Sequence, residues 1–308
     1  PNSKQRTNWG NIMKRAGVVG IGDMGSGLAK NLIKNGFETA GWDIDDKRMV
    51  AFAELGGNGQ PTAAEVGKYA DAVYVMVMNG DQAKEVVLGE NGLIRTLEPG
   101  SVVIMTATIK APEIRDIEQG LEGTGIEMID SPVSGGFPGA QGGTLTMMAA
   151  GKAEVLETYR PVMEAVSANI HIVGDKIGDG QTVKGCLQSL FGAIFSATFE
   201  MSALAAKAGI SGQVLYDVVS TSSASSPAGN TALANIIDRK FENTGSSIRT
   251  MHKDLTISMD LARDLGVPLF TAATSMQLFQ AGITKHPDGD NQIVTRVMED
   301  IVGAGLKR

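Results

Sequence analysis

The chain has 308 residues, of which 43% are hydrophobic and 20% charged, and this is enough to bury the cores of two domains. Its formal net charge of −7 and its lack of a concentrated lysine and arginine run argue against nucleic acid as a main partner, because phosphate binding needs a basic surface. The single cysteine, Cys186, excludes an intramolecular disulfide and a cysteine-based zinc site. We therefore expect a cytoplasmic protein, with Cys186 as a small buried apolar residue.

The first residues, PNSKQRTNWGNI, lack the apolar core that a signal peptide needs, and Met13 stands just before the first strand pattern. We expect residues 1–12 to form a disordered extension and Met13 to be the natural start. The least charged run, residues 185–199, is shorter than the roughly 20 residues that span a bilayer, and it contains polar side chains. We expect it to be a buried helix and expect no membrane partner.

The first half of the chain alternates strand-like and helix-like segments. Apolar runs predict strands at residues 16–20, 37–43, 72–78 and 101–105, and helical spacing predicts helices at 26–36, 46–55 and 81–88. A further strand at 127–130, a loop at 131–143 and a returning strand at 144–150 follow. This alternation predicts an α/β domain, residues 13–178, whose parallel sheet is covered by helices on both faces.

Beyond Gly180 the strand patterns nearly stop. Helices are predicted at residues 181–208, 212–220, 232–238, 250–265, 271–281 and 292–302. Residues 179–308 are therefore expected to form an interdomain helix and an all-helical domain. The stretch 174–188 opens the first of these helices, for which Asp179 is a candidate cap. Lys184 and Gln188 lie four residues apart and therefore project from one helical face.

The segment GIGDMG, residues 20–25, has the glycine spacing that brings a helix N-terminus against a pyrophosphate. It lies between a predicted strand and helix, and Asp43 follows Gly20 by 23 positions, where an acid would take ribose hydroxyls. We therefore predict a dinucleotide site formed by Gly20, Gly22, Met24, Gly25 and Asp43. Asp43 would repel a 2′-phosphate, which favours NAD over NADP, although the basic residues at 47 and 48 leave NADP open.

Three further residues follow predicted strands at the carboxyl edge of the sheet, where such folds bind ligands. Met78 and Asn79 close the strand 72–78, and Thr108 follows the next strand. A cofactor contact and a purely local turn role are equally open for each from position alone. The later loop SPVSGG, residues 131–136, offers a hydroxyl and free amides around two glycines, which can hold a carboxylate.

These pieces together resemble the β-hydroxyacid dehydrogenase family, which includes 3-hydroxyisobutyrate, tartronate semialdehyde and 6-phosphogluconate dehydrogenases. The resemblance runs from Met13 onward and rests on GIGDMG at 20–25, NG at 79–80, TIKAPE at 108–113, DSPVSGG at 130–136, GxGxxxK ending at Lys184, and HKDLTISMDLARDLGVPL at 252–269. It implies an N-terminal Rossmann domain, a long interdomain helix and a helical C-terminal domain.

The resemblance also implies roles for individual residues. Lys184 stands at the position of the family's catalytic lysine, and Ser134, Gly135 and Gly136 match the loop that holds the substrate carboxylate. Gln188 stands where the family usually has an asparagine that contacts substrate. Thr108 and Lys253 match positions near the nicotinamide end of the cofactor, and Asp254 beside Lys253 is expected to help close the site.

The resemblance implies hydride transfer between a nicotinamide cofactor and a small 3-hydroxy acid or its semialdehyde, with Lys184 as general acid and base. Leu187 and Gln188 depart from the usual family residues near the reacting carbon, so the substrate stays open. Two alternatives also stay open: an imine reductase, and a cofactor-binding sensor or scaffold without turnover. We expect no metal, and we expect a homodimer or homotetramer, as the family's helical domains form.

Overall fold

A computed structural model describes residues 14–308. The expectations for residues 1–12 and for Met13 as the start lie outside this range. The described chain divides into two compact units, one ending at Lys184 and the other beginning at Gly185. The domain boundary predicted after residue 178 falls at the start of the helix Asp179–Lys207, which continues through this division.

The N-terminal unit is built on one sheet. Its described strands are β1 Arg15–Val19, β2 Glu38–Trp42, β3 Asn58–Gly59, β4 Ala72–Val75, β5 Val102–Met105, β6 Glu127–Asp130, β7 Val133–Ser134, β8 Leu145–Ala150 and β9 Ser167–Gly174. The first six are parallel and lie in the order 3-2-1-4-5-6, which is the doubly wound arrangement of dinucleotide-binding domains. The α/β Rossmann fold predicted from the sequence is therefore confirmed.

Helices cover both faces of this sheet. They are α1 Asp23–Lys34, α2 Asp46–Glu54, α3 Ala63–Tyr69, α4 Gly80–Leu88, α5 Ala111–Leu121, α6 Gly136–Gly142, α7 Ala153–Thr158 and α8 Arg160–Glu164, with a 3-10 turn at Leu93–Arg95. Val18 packs in one hydrophobic core and its neighbour Val19 in the other, because successive strand residues point to opposite faces. Burial on both faces explains why these strands read as continuous apolar runs.

The structure corrects three local expectations. The strand predicted at 72–78 ends at Val75, so Met78 and Asn79 lie in the connection to α4 and not within a strand. The predicted loop 131–143 contains β7 and α6, a glycine-rich helix that tertiary contacts hold, since Asn31 Nδ2 donates to the Ala140 carbonyl at 2.8 Å. The sheet is also not wholly parallel, because β8 runs antiparallel to β6 and β7.

Helix α9, Asp179–Lys207, has 29 residues, and by length and composition alone it could cross a membrane. Within its most apolar window, 44% is buried inside the protein. Cys186 on this helix is exposed, which corrects the expectation that it is buried. At about 100° per residue it lies on the opposite side of α9 from Lys184 and Gln188, both of which are buried.

The C-terminal unit is helical, as predicted. After α9 it contains α10 Gly212–Thr221, α11 Pro227–Ile237, α12 Ile248–Leu265, α13 Phe270–Lys285 and α14 Thr295–Val302, with a 3-10 turn at Asn291–Val294. Its core includes Phe195, Phe199 and Phe279, whose ring centroids lie 6.0–6.4 Å apart. Helix α11 begins five residues before its predicted start, because the Ser226 hydroxyl accepts the N–H of Gly229 and caps it.

Candidate functional site

The turn between β1 and α1 admits only glycine at two positions. Gly20 has a φ of +89°, and a Cβ there would lie 2.2 Å from the Met76 carbonyl oxygen. A Cβ on Gly25 would lie 1.8 Å from the carbonyl oxygen of Gly20. The backbone of the first turn of α1 thus packs directly on the end of β1, which is the close approach that the glycine spacing predicts.

Gly22 differs from these two glycines because the fold itself does not require it. It caps α1 with a φ of −71°, and a Cβ there would meet only the Arg48 guanidinium at an ordinary contact distance of 3.6 Å. The cap makes no side-chain hydrogen bond to the first turn. The N–H groups of that turn and the positive end of the helix therefore suit an anion such as a pyrophosphate, and the residues present fit a dinucleotide.

Asp43, just after β2, is buried beside this turn. Its Oδ2 accepts the N–H of Ile21 at 2.7 Å, and its Oδ1 accepts the N–H of Asp45 at 2.9 Å. Arg48 Nη1 lies 3.4 Å from the same Oδ2. A cleft of about 210 Å³ opens here, lined by Ile21, Gly22, Asp23, Ser26, Arg48, Ala51, Phe52 and Leu55. The carboxylate is thus held in place at the point where the sequence predicts a ribose contact.

Met78 and Asn79 shape the start of α4. The Met78 N–H donates to Gln82 Oε1 at 2.9 Å, and Asn79 Oδ1 accepts the Gln82 N–H at 2.9 Å as the helix cap. Both residues are exposed after the end of β4, whereas Met24 in the first turn of α1 packs against the sheet core. Local capping accounts for the choice of asparagine at 79, and the cofactor contacts of all three residues stay predictions.

The loop that begins at Ser134 turns through two left-handed backbone conformations. Ser134 ends β7 and pairs with Thr146, after which Gly135 and Gly136 have φ values of +130° and +57°. Helix α6 begins at Gly136 and packs on α1, where a Cβ at Gly27 would lie 2.5 Å from the Ala140 backbone. The two glycines therefore serve the turn geometry, and the carboxylate contact of Ser134, Gly135 and Gly136 stays a prediction.

Lys184 lies in the second turn of α9 and is 6% exposed. The glycines that precede it are explained by packing within the N-terminal unit. A Cβ on Gly180 would lie 2.6 Å from the Met148 carbonyl oxygen and 2.9 Å from Asp130 Cγ, and Gly178 has a φ of +105°. The start of α9 is thus pressed against β6 and β8, so the backbone that carries Lys184 is fixed.

The sequence reasoning missed Asp130, the fully buried residue at the end of β6. Its Oδ2 accepts the N–H groups of Gly178 at 2.9 Å and Gln181 at 3.1 Å, so this carboxylate caps α9. Asp179, the expected cap, instead accepts the N–H of Lys176. Burial raises the pKa of the Asp130 carboxyl to about 6, and the N–H donors oppose that rise. The sequence did offer one signal for Asp130, because it is an acidic residue at the end of a predicted buried strand and the first residue of DSPVSGG.

Gln181, in the first turn of α9, was also missed. It is 2% exposed, and its Nε2 donates to Asp130 Oδ1 and to the Ala107 carbonyl, each at 3.0 Å. Its Oε1 accepts the N–H of Ile109 at 3.0 Å. Thr108, which is half-buried, lies between the two residues that this amide holds. A glutamine three residues before the candidate lysine was a weak signal by itself.

The C-terminal unit contains its own polar cluster. Gln188 Nε2 donates to Asp254 Oδ2 at 2.5 Å, and Lys253 Nζ lies 3.0 Å from Asp254 Oδ1. Gln188 and Asp254 are both buried. The structure therefore brings together three of the residues that the sequence singled out, and the carboxylate fixes how the amide of Gln188 is turned.

The expectation that the protein holds no metal stays a prediction. Within residues 14–308 no three His, Cys, Asp or Glu side chains group closely enough to hold a metal ion.

Comparison with known families gives two matches that together span most of the chain. Residues 15–174 match the NAD binding domain of 6-phosphogluconate dehydrogenase. Residues 178–298 match the model described as NAD-binding of NADP-dependent 3-hydroxyisobutyrate dehydrogenase. The two matched segments meet at the start of α9, so both halves of the chain carry the same family relationship.

Individual relatives agree with the family models. An L-threonate dehydrogenase from Escherichia coli is 34% identical, over 94% of this chain and 97% of the relative. An NAD-dependent L-serine dehydrogenase from Pseudomonas aeruginosa is 34% identical, over 94% of this chain and all of the relative. The crystal structure of a 3-hydroxyisobutyrate dehydrogenase from Salmonella typhimurium has a TM-score of 0.85 at 30% identity, covering 92% and 99% of the two chains. The chain is therefore an oxidoreductase that binds a nicotinamide cofactor, and it belongs to the β-hydroxyacid dehydrogenase family.

Proposed function

We propose that this protein interconverts a small 3-hydroxy acid and its carbonyl product, a semialdehyde or a 3-oxo acid, with NAD, and that Lys184 moves the proton. The observation that carries the proposal is the buried position of Lys184 on a helix start that Asp130 holds, in the same unit as the dinucleotide turn. Burying a lysine amine costs free energy. That cost is expected for a group that transfers a proton, but not for a lysine that only solvates a helix start.

The cofactor would be held by the turn Gly20, Gly22 and Gly25, with Asp43 on the ribose hydroxyls. When bound, it supplies the acceptor or donor of the hydride. Met24, Met78, Asn79 and Thr108 of the N-terminal unit are proposed as further cofactor contacts. Lys253 and Asp254 are proposed to contribute from the helical unit, where their ion pair holds the Lys253 ammonium in a fixed position.

The proton step needs an amine at the substrate hydroxyl. In the oxidation, neutral Lys184 Nζ takes the hydroxyl proton as the C–H bond of the same carbon breaks and its hydride leaves. In the reduction, the Lys184 ammonium returns a proton to the carbonyl oxygen. The carboxylate of the substrate would be held by Ser134 and by the amides of Gly135 and Gly136.

Gln188 favours a substrate that carries a hydroxyl beyond the one that reacts. Asp254 is an acceptor, so the Gln188 amide must present its nitrogen there, and its oxygen is turned to the other side. An amide oxygen accepts a hydroxyl hydrogen and gains nothing from a methyl group. We therefore propose hydroxyl-rich acids of the L-threonate type ahead of 3-hydroxyisobutyrate, in keeping with the name of the E. coli relative.

NAD is proposed as the preferred cofactor. The Asp43 carboxylate is held beside the turn and would repel a 2′-phosphate. Arg48 favours NADP as the alternative, because its guanidinium lies next to both Asp43 and Gly22 and is 49% exposed. The fixed carboxylate outweighs a half-exposed arginine that is already paired with it.

We propose that the protein forms a homodimer or homotetramer in the cytoplasm. The helical unit exposes apolar side chains along α9 and α10, with Leu204 72% and Val218 60% exposed. Val214 and Val218 lie four residues apart on α10 and share one face. Sedimentation of a monomer at micromolar concentration would contradict assembly, and cell fractionation would test the location.

Two other functions remain as alternatives. An imine reductase would reduce a C=N bond, and a sensor or scaffold would bind the dinucleotide without turnover. The retained lysine at 184 favours the hydroxy acid dehydrogenase over both, because neither alternative requires a proton-accepting amine at that position.

The test is a screen for NADH and NADPH formation with a panel of 3-hydroxy acids that differ in the number of hydroxyls. Turnover of a hydroxyl-rich acid with NAD is the expected result. Reduction of cyclic imines without hydroxy acid oxidation would support the imine reductase, and NAD binding without turnover of any panel member would support the sensor.

A further inference from the structure

The Gln181 amide joins three segments of the N-terminal unit. It bonds to both residues that flank Thr108, in the connection between β5 and α5, and to Asp130 at the end of β6. The backbone of Gln181 belongs to the first turn of α9 and donates to Asp130 as well. One side chain therefore ties the Thr108 segment to the helix that carries Lys184.

The amide fits in only one orientation. Both partners of Nε2, the Ala107 carbonyl and the Asp130 carboxylate, are acceptors, whereas the partner of Oε1 is the N–H of Ile109. The amide nitrogen therefore makes two hydrogen bonds and the amide oxygen makes one, all in the protein interior. A side chain that lacks either function leaves buried backbone groups without partners, which is costly.

Gln181 and Lys184 are three residues apart and are neighbours on one face of α9. Any movement of the first helical turn is therefore passed on to Lys184. We propose that Gln181, seated on the Asp130 carboxylate, is a positioning residue that fixes the Thr108 segment against the first turn of α9 and sets the place of Lys184 for proton transfer. This inference rests on the proposed role of Lys184.

The first test is Gln181→Met in the full-length protein, which keeps the length of the side chain and removes all three amide hydrogen bonds. We expect kcat for the best acid of the screen to fall about 10- to 100-fold, since a misplaced catalytic group is that costly. KM should change less than about threefold, NAD affinity should fall less than kcat because Thr108 is only one of several proposed cofactor contacts, and the N–H of Ile109 should exchange faster with deuterium.

Thr182→Val provides the matched control. Thr182 neighbours Gln181 in the same turn, and its hydroxyl donates to the Gly178 carbonyl within the helix start, without reaching the Thr108 segment. This variant should keep the wild-type kcat and the wild-type exchange rate at Ile109. A fall in kcat in this variant equal to that of Gln181→Met would overturn the proposal, because any disturbance of the turn would then suffice.

A paired exchange tests the contact with Asp130 itself. Gln181→Glu places a second carboxylate against Asp130, and we expect it to lower kcat at least as much as Gln181→Met. Adding Asp130→Asn restores a donor–acceptor pair between these two side chains with the roles reversed, while the Ala107 carbonyl stays without its donor. The kcat of the double variant should therefore be at least about threefold higher than that of Gln181→Glu and still below that of the wild type. If the fold-loss of kcat in the double variant equals the product of the losses in Gln181→Glu and Asp130→Asn, the two side chains do not act as a pair and the proposal is overturned.

The two claims fail in different ways. A wild-type protein without turnover overturns the proposed function. Amide hydrogen exchange at Ile109 in Gln181→Met then decides whether Gln181 holds the Thr108 segment. An active wild type whose Gln181→Met variant keeps kcat overturns the positioning role alone. Parallel losses of kcat, substrate binding and NAD binding would also overturn it, because they would indicate general unfolding.

Discussion

The Asp43 carboxylate lies 3.4 Å from the guanidinium of Arg48, so the group expected to reject a 2′-phosphate is paired with the group expected to attract one. Removing the carboxylate should free Arg48 for that phosphate. We expect Asp43→Ser to raise the ratio of kcat/KM for NADP to that for NAD by about 10- to 100-fold, since like-charge contacts cost several kcal/mol. Steady-state kinetics with both cofactors provide the measurement.

Asp45→Ser is the control for this change. Asp45 also lies near Arg48, at 3.9 Å, and serine retains its ability to cap α2. Because the Asp45 side chain is half-exposed and does not bond to the dinucleotide turn, its loss should alter the cofactor ratio less than about threefold. An equal change in both variants would show that overall charge, and not the place of Asp43, decides the preference.

The glycines of the turn should separate stability from binding. Gly25→Ala forces a Cβ against the Gly20 carbonyl, so we expect it to destabilise the fold by about 2 kcal/mol or more. Gly22→Ala has room and an ordinary φ, so its stability should change by less than about 1 kcal/mol while NAD affinity falls at least tenfold. Urea denaturation and NAD titration give the two quantities. Equal destabilisation by both alanines would refute the distinction.

Lys184→Met should remove most of the turnover and leave the cofactor bound. We expect kcat to fall about 100- to 10,000-fold, the range for loss of a general acid or base, with NAD affinity within about twofold. Lys176→Met, an exposed lysine before the same helix, is the control and should keep full turnover. A Lys184→Met variant with wild-type kcat would exclude Lys184 from proton transfer.

Gln188→Met tests the proposed preference for hydroxyl-rich acids. The loss of an acceptor oxygen should lower kcat/KM for such an acid about 10- to 100-fold, but should lower it less than about threefold for 3-hydroxyisobutyrate. Gln213→Met is matched to it, because Gln213 also donates to an aspartate, Asp217, at 2.7 Å in the helical unit. Equal losses for both substrates would indicate that Gln188 only supports the packing of Asp254.

Most of the fold followed from sequence patterns, and the helix that was missed shows why a part of it did not. The parallel core strands were predictable because burial on both faces leaves continuous apolar runs such as that around Val18. Helix α6 was missed because its glycine-rich sequence has a low helix propensity, and contacts from α1 such as that of Asn31 stabilise it. Tertiary contacts of this kind leave no periodic pattern in the sequence.

The site residues also divide into those that local sequence patterns reveal and those that only tertiary contacts reveal. Local signals identified Gly20, Gly25 and Asp43, because the fingerprint fixes their spacing along the chain. Asp130 and Gln181 act through bonds between residues 51 positions apart, and a single sequence does not reveal such a pair. Asn79 is the opposite case: its place after a predicted strand suggested a cofactor contact, but its role as a helix cap already explains the asparagine.

Asp130 should also give the stability of the protein a distinct pH dependence. Its pKa of about 6 in the fold exceeds the ordinary value of 3.8, so the folded state binds more protons than the unfolded state between these values. Stability from this group is therefore present below about pH 4 and is lost as the pH rises through 6. At about 1.4 kcal/mol for each pH unit between the two values, the loss approaches about 3 kcal/mol.

Asp130→Asn removes this titration, although it adds a constant cost because the new amide nitrogen faces the donor of Gln181. The unfolding free energy of the wild type, minus that of Asp130→Asn, should therefore decrease between pH 4 and pH 7. Urea denaturation at several pH values gives this difference. A difference that increases with pH would mean that the N–H donors of Gly178 and Gln181 outweigh burial, and that the pKa of Asp130 lies below its ordinary value.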